Sequence, residues 1–166
     1  RFDEMVSQIK ARGLKPIVHA ACSGATLDCP QLHYDMVRPG IATYGYYPSD
    51  EVSKDVPLQP VLRWETRLTQ IKPVKGGESI GYGRTYFAKN DMVIGVLPVG
   101  YGDGYRRALS NKGYVLINGQ KAPIVGRICM DQTMVDTSGI KNATTGAVVT
   151  LLGQQNGEHI WADEMA

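Results

Sequence analysis

Three glycine-bracketed clusters gather most of the side chains that could do chemistry: Gly81-Tyr-Gly-Arg-Thr-Tyr86, Gly100-Tyr-Gly-Asp-Gly-Tyr-Arg-Arg107 and Gly126-Arg-Ile-Cys-Met-Asp-Gln132. A tyrosine flanked by glycines is open to close approach by a ligand or another backbone, because glycine removes the neighbouring Cβ atoms. The same pattern also suits glycines that serve β-turns and bulges while tyrosines pack at sheet edges. Gly81-x-Gly83 and Gly100-x-Gly102-x-Gly104 are not dinucleotide fingerprints, since neither has the full spacing followed by a helix and a later acid. His19-x-x-Cys22 and Cys29-x-x-x-His33 bring together two imidazoles and two thiolates, a donor set that could close a tetrahedral zinc site. Their placement at a strand end and across a helix start implies no knuckle, so buried thiols and ordinary histidines are expected instead of a metal. Arg38 precedes an expected strand. It is either a group on the active face of a barrel or a surface guanidinium at a helix end.

The elements that must position these residues change character along the chain. Phe2, Met5, Val6 and Ile9 share one face of an opening helix that stops near Gly13. Pro16-Ile-Val-His-Ala-Ala21 reads as a buried strand, 27–37 as a helix with Leu32, Met36 and Val37 inward, and Pro39-Gly-Ile-Ala-Thr-Tyr-Gly45 as another strand. That alternation belongs to a parallel α/β barrel or doubly wound sheet, entered partway through. The segment 46–60 is polar and carries Pro48, Pro57 and Pro60, so it reads as a linker. Beyond it Leu62, Trp64, Thr66 and Leu68 alternate with polar residues, and Met92-Val-Ile-Gly-Val-Leu-Pro98 is a buried strand. Asn118-Gly119 and Asn156-Gly157 each join two strand-like runs, a strong signal for a type I′ hairpin. About seven short strands are expected, forming a small antiparallel barrel or sandwich. No internal repeat or low-complexity tract is visible.

Composition bounds the partners. The 166 residues are 43% hydrophobic and 20% charged, and 18 basic against 16 acidic residues leave a net charge of +2. That is too little for an electrostatic footprint on nucleic acid or an anionic membrane. No apolar run approaches a membrane span and no leader pattern opens the chain, so a cytoplasmic setting is expected. Three cysteines, Cys22, Cys29 and Cys129, make no closed disulfide framework and are expected as free thiols. The chain begins at Arg1 inside a helical pattern and ends at Ala166 as another helix starts, so both ends read as cut from something longer.

His19-Ala-Ala-Cys-Ser23, Val37-Arg-Pro-Gly-Ile-Ala-Thr-Tyr-Gly45 and Gly81-Tyr-Gly-Arg-Thr-Tyr86, followed by Pro98-Val-Gly-Tyr-Gly-Asp-Gly104 and Val125-Gly-Arg-Ile-Cys-Met-Asp-Gln132, together resemble the alanine racemase family. The likeness runs over essentially the whole chain. It implies a mixed α/β fold: the last α/β units of a (β/α)8 barrel over 1–57, then a predominantly antiparallel, barrel-like β domain over 58–166, incomplete at its end. It implies pyridoxal 5′-phosphate as cofactor, alanine as substrate, and a homodimer whose subunits share active sites in the full-length protein. The activity implied is interconversion of L- and D-alanine for cell-wall peptidoglycan precursors by two-base proton transfer.

Carried over by motif, the resemblance makes Ser23 and the backbone at Gly40 and Ile41 the binders of the cofactor phosphate. Arg38 would face the pyridine nitrogen and keep it unprotonated, which weakens the ring as an electron sink and discourages transamination. Tyr82 matches the tyrosine base. A free phenol titrates near 10, so such a base needs cations and hydrogen bonds around it. Tyr101 would line the substrate entrance, the Met130 amide would bind the substrate carboxylate in the partner's site, and Asp131 would gate it. Three departures stand out: Cys22 replaces the usual asparagine before the phosphate-binding serine, no lysine here sits in the family's cofactor-anchoring motif, and the family's final phosphate-contacting tyrosine lies beyond Ala166. The chain by itself is therefore expected to be inactive. A serine or broad-specificity racemase, and a catalytically silent dimerisation or binding module, are the alternatives.

Overall fold

The computed structural model describes residues 1–165, which divide into two compact units, Arg1–Val61 and Leu62–Ala166. In the first unit, α1 (Phe2–Ala11) carries Asp3 and Glu4 in its first turn and Lys10 in its last, the charge order that complements the helix dipole. Gly13, at φ 81°, ends it, its N–H donating to the Lys10 carbonyl. No α1 residue is buried. Phe2 instead meets the Tyr34 ring edge-on at 5.3 Å, and the Tyr34 hydroxyl donates to Asp3.

The expected alternation of strand and helix is replaced here by turns. Residues 16–21 are not a strand. Val18 pairs with Asp35 through both N–H and C=O, and the Ala21 carbonyl accepts from the Arg38 amide, but no ladder forms. Nor is 27–37 one helix: α2 is Ser23–Asp28 and stops at Cys29, whose extended φ −127°, ψ 72° is what a residue preceding proline adopts. Pro30 then opens a single 3-10 turn, Pro30–Leu32. The strand expected at 39–45 is a 3-10 turn, Ile41–Tyr44, ended by Gly45 at φ 84°. A Cβ on Gly45 would lie 1.9 Å from the Gln59 carbonyl oxygen, so only glycine lets that backbone pass. The polar segment 46–60 is accordingly folded back: the Tyr47 hydroxyl accepts from Leu58 and donates to the Val56 carbonyl, and Ser53 N–H reaches Asp28.

The second unit is built from antiparallel β structure. Its strands are β1 (Trp64–Arg67), β2 (Gln70–Val74), β3 (Ser79–Ile80), β4 (Tyr86–Phe87), β5 (Met92–Leu97), β6 (Tyr114–Ile117), β7 (Gln120–Pro123), β8 (Thr133–Asp136), β9 (Val148–Gln155) and β10 (Glu158–Ile160). A five-stranded sheet runs β1-β9-β6-β7 with β10 also on β9, a three-stranded sheet runs β2-β5-β8, and β3 pairs with β4. Among the described residues ten strands stand where about seven were expected, because two-residue pairings such as β3-β4 leave no alternation to read. Both Asn-Gly pairs close hairpins with positive φ at each residue, 53° and 74° at Asn118-Gly119 and 50° and 89° at Asn156-Gly157. Ile124 bridges to Val135, which ties the two larger sheets together around Leu68, Leu97, Val115, Ile117, Val149 and Leu151. Gly95 lets Leu68 into that core, since a Cβ there would be 2.4 Å from the leucine methyl.

Candidate active site

The β3–β4 connection is one 3-10 turn, Tyr82–Arg84, and it is held open by backbone that few residues adopt: φ is 76° at Gly81, 70° at Gly83 and 49° at Arg84. Tyr82 stands on this turn with 73% of its surface exposed. Its base rests on the loop after Val125. A Cβ on Gly126 would lie 2.7 Å from the Ile80 carbonyl oxygen, and one on Gly81 would lie 3.1 Å from the Arg127 nitrogen. The Arg127 guanidinium lies over Gly83, with Nη1 3.1 Å from the position a Cβ would take. The glycines flanking Tyr82 thus allow backbone-to-backbone contact and give a cation room beside the turn.

The same loop carries Met130 and Asp131, and the third substrate-binding candidate, Tyr101, lies on a turn tied to it. Gly100 is followed by a 3-10 turn, Tyr101–Asp103, whose amides donate to the next loop: Tyr101 to the Cys129 carbonyl at 3.0 Å and Gly102 to the Met130 carbonyl at 2.8 Å. No side chain fits at Gly100, where a Cβ would be 2.2 Å from the Cys129 oxygen. Asp103 locks the turn by accepting the Gly100 N–H at 2.9 Å. Tyr101 and Met130 are both exposed, Asp131 beside them likewise, and Arg107 stacks 5.7 Å from the Tyr101 ring centre. Partial burial and then the Asp131 carboxylate push the Cys129 thiol up, with Arg107 opposing them. Among the described residues the Met130 N–H has no acceptor. A backbone amide without an acceptor, on an exposed residue, can take a carboxylate oxygen. A cavity of about 280 Å³ lies elsewhere, lined by Tyr105, Arg106, Tyr114 and Glu164.

In the first unit Ser23 opens α2 and is buried, with its Oγ accepting the Ala42 N–H at 3.2 Å. Its own O–H is left to donate. Gly40 lies beside it, a Cβ there being only 3.9 Å from that Oγ, and Ile41 begins the 3-10 turn whose first amides have no partner within it. Arg38 is exposed but fixed, its Nη1 hydrogen-bonded to His19 Nδ1 and at 3.4 Å from the His19 carbonyl. Cys22, also exposed, has its thiol pulled down by the amides of Ala25 and Gly24 and, more weakly, by Arg38. His33 is engaged by the Thr26 carbonyl at 2.9 Å. Among the described residues no three histidine, cysteine or acidic side chains gather as metal ligands.

Sequence reasoning missed the supports of these groups. His19, weighed for metal, braces Arg38. Arg127, Asp103, Ser110 and Asn111 were not singled out for any role, although Ser-Asn ahead of Lys-Gly is a turn signal whose side chains reach backbone amides.

Two family models cover this architecture: the alanine racemase C-terminal domain matches residues 61–166 and the alanine racemase N-terminal domain matches residues 1–48. The chain belongs to the alanine racemase family. It is 46% identical over 167 residues to an alanine racemase of Nostoc sp., an alignment that covers 100% of this chain and 43% of the relative. Among solved structures, the Bacillus anthracis alanine racemase with bound L-Ala-P superposes with a TM-score of 0.89 at 40% identity, covering 99% of this chain and 43% of that one. The Bartonella henselae alanine racemase, with covalently bound pyridoxal phosphate, superposes at 0.78 with 32% identity over 93% of this chain and 43% of that one. The chain therefore spans less than half the length of these alanine racemases.

Proposed function

We propose that this chain supplies one of the two proton-transfer groups and the substrate carboxylate site of an alanine racemase, and that the whole protein interconverts L- and D-alanine. The observation that carries the reading is that the turn bearing an exposed tyrosine packs on the loop bearing an unpaired amide: the Tyr82 turn rests on Gly126 and Arg127, and the Met130 N–H lies three residues further along that loop. Tyr82 moves a proton to or from one face of the substrate Cα. The Met130 amide holds the substrate carboxylate, Tyr101 lines the approach and Asp131 closes over it. Because Tyr82, Tyr101 and Met130 are all exposed on turns and loops tied to one another, we assign them to the site of a partner subunit in a homodimer.

Residues 1–57 would close the barrel domain and 58–166 form the β domain. The first unit fits a phosphorylated pyridine: a buried serine with a free O–H lies beside the amides at Gly40 and Ile41, which suits a phosphate, and a histidine-braced guanidinium at Arg38 suits a neutral ring nitrogen. When bound, pyridoxal phosphate supplies the electron sink that acidifies the substrate Cα–H. Its anchoring lysine has no motif counterpart in this chain.

The test is Tyr82→Phe in the complete, cofactor-loaded protein. Racemisation followed by circular dichroism should fall by at least about a hundredfold, with melting temperature unchanged and the α-proton of one alanine enantiomer still exchanging with D2O through the remaining base. Racemisation within threefold of wild type would sink the assignment and leave a silent dimerisation or binding module.

A further inference from the structure

Tyr82 and Met130 sit on different loops, and both loops are tied to one short segment that touches neither residue. Ser110 and Asn111 follow the 3-10 turn Arg107–Leu109. Asn111 is held at φ 58°, and the amides of Lys112 and Gly113 both donate to the Leu109 carbonyl, so the segment is a closed turn. The Asn111 Oδ1 accepts the N–H of Gly126 at 2.6 Å, while its Nδ2 donates to the Thr85 hydroxyl at 3.3 Å. Thr85 caps the turn that bears Tyr82. Next to it the Ser110 hydroxyl accepts the N–H of Ile128 at 3.0 Å and donates to the Arg107 carbonyl at 2.6 Å. The Met130 loop is thus anchored at Gly126 by Asn111, at Ile128 by Ser110, and at Cys129 by the Gln132 carbonyl, immediately before the amide left unpaired.

We infer that Asn111, backed by Ser110, is a positioning residue that sets the distance between the Tyr82 turn and the Met130 amide. The inference rests on the racemase reading above. Gly126 cannot brace the junction itself, because its φ of 80° and the Ile80 oxygen 2.7 Å from any added Cβ exclude a side chain. A primary amide suits this bridging position because its oxygen takes a backbone N–H while its nitrogen reaches a hydroxyl, and the two directions differ in sign. An aspartate keeps both contacts, since the Thr85 hydroxyl can turn to donate. A glycine keeps the left-handed backbone and removes both. With the brace gone, the proton-transfer group and the carboxylate anchor move independently, and misplacement on the ångström scale is costly to the reaction.

The experiment is steady-state racemisation by the complete, cofactor-loaded protein carrying Asn111→Gly, Asn111→Asp and Thr85→Val. Asn111→Gly should lower kcat and raise KM for alanine, with kcat/KM down by at least about tenfold, while Asn111→Asp stays within about threefold of wild type. Thr85→Val, which removes only the bond across the turn, should lower kcat more than it changes KM, and it should add little in the Asn111→Gly background. Asn111→Gly with unchanged kcat and KM would overturn the inference. Should that variant fail to fold, a Thr85→Val enzyme with wild-type kcat overturns it equally. Tyr82→Phe separates the two readings: if it abolishes racemisation while Asn111→Gly leaves it intact, only the positioning role falls.

Discussion

Tyr105 shows what a single side chain can cost. Its ring lies edge-on to Trp64 at 5.7 Å in the main core, 1% exposed, and its hydroxyl has no hydrogen-bond partner among the described residues. An unsatisfied buried hydroxyl is destabilising, so Tyr105→Phe should raise the unfolding free energy by about 1 kcal/mol in a urea titration. Burial also pushes the phenol well above its ordinary value. The sign follows: the folded state holds this proton more tightly than the unfolded one, so the contribution is complete below about pH 10 and is lost as pH rises further. Wild type should therefore lose stability faster than Tyr105→Phe between pH 10 and 11, and parallel curves would remove Tyr105 from the account. At the same scale, the Arg38 guanidinium depends on His19 for its direction. His19→Ala in the complete protein should weaken pyridoxal phosphate binding, read by equilibrium dialysis, by several-fold without lowering the melting temperature.

At the scale of elements, the site is a set of turns held apart by sheets and pressed together by glycines. The turn Tyr101–Asp103 and the loop at 129–130 approach so closely that Gly100 has no room for a methyl group. Gly100→Ala should cost about 2 kcal/mol by overpacking and should raise KM for alanine through the displaced Met130 loop. A variant with wild-type stability would show that the two loops can part freely. The hairpins at Asn118-Gly119 and Asn156-Gly157 were readable because a two-residue turn of that type leaves little choice of backbone. The turn that bears Tyr82 was not readable as a structure, since its three positive-φ residues in four go with a tertiary contact, Gly81 against the 126–127 backbone and Gly83 against the Arg127 guanidinium, that no local pattern announces.

At the scale of the whole molecule the two units differ in what stabilises them. The second has a sealed core in which β9 runs buried from Val149 to Gly153, whereas α1 of the first buries nothing. Hydrogen exchange on the 166-residue chain should therefore find the α1 amides exchanged early and those of β5 and β9 last. Equal protection in both would contradict the difference in burial. No helix among the described residues is long and apolar enough to cross a membrane.

The sequence by itself determined the β unit's strands wherever period-two alternation or an Asn-Gly turn was present, and it named Tyr82, Tyr101, Met130, Ser23 and Arg38 through their motifs. Side-chain chemistry and local backbone preference are written residue by residue, so they survive reading in one dimension. The tertiary structure decided the rest. Residues 16–21 and 39–45 read as buried strands from their composition, yet neither joins a ladder, and they are extended chain and a 3-10 turn. Asn111, Ser110 and Arg127 gain their roles only when 85, 110, 111 and 126–128 meet, and no periodicity encodes a hydrogen bond between loops that distant in sequence.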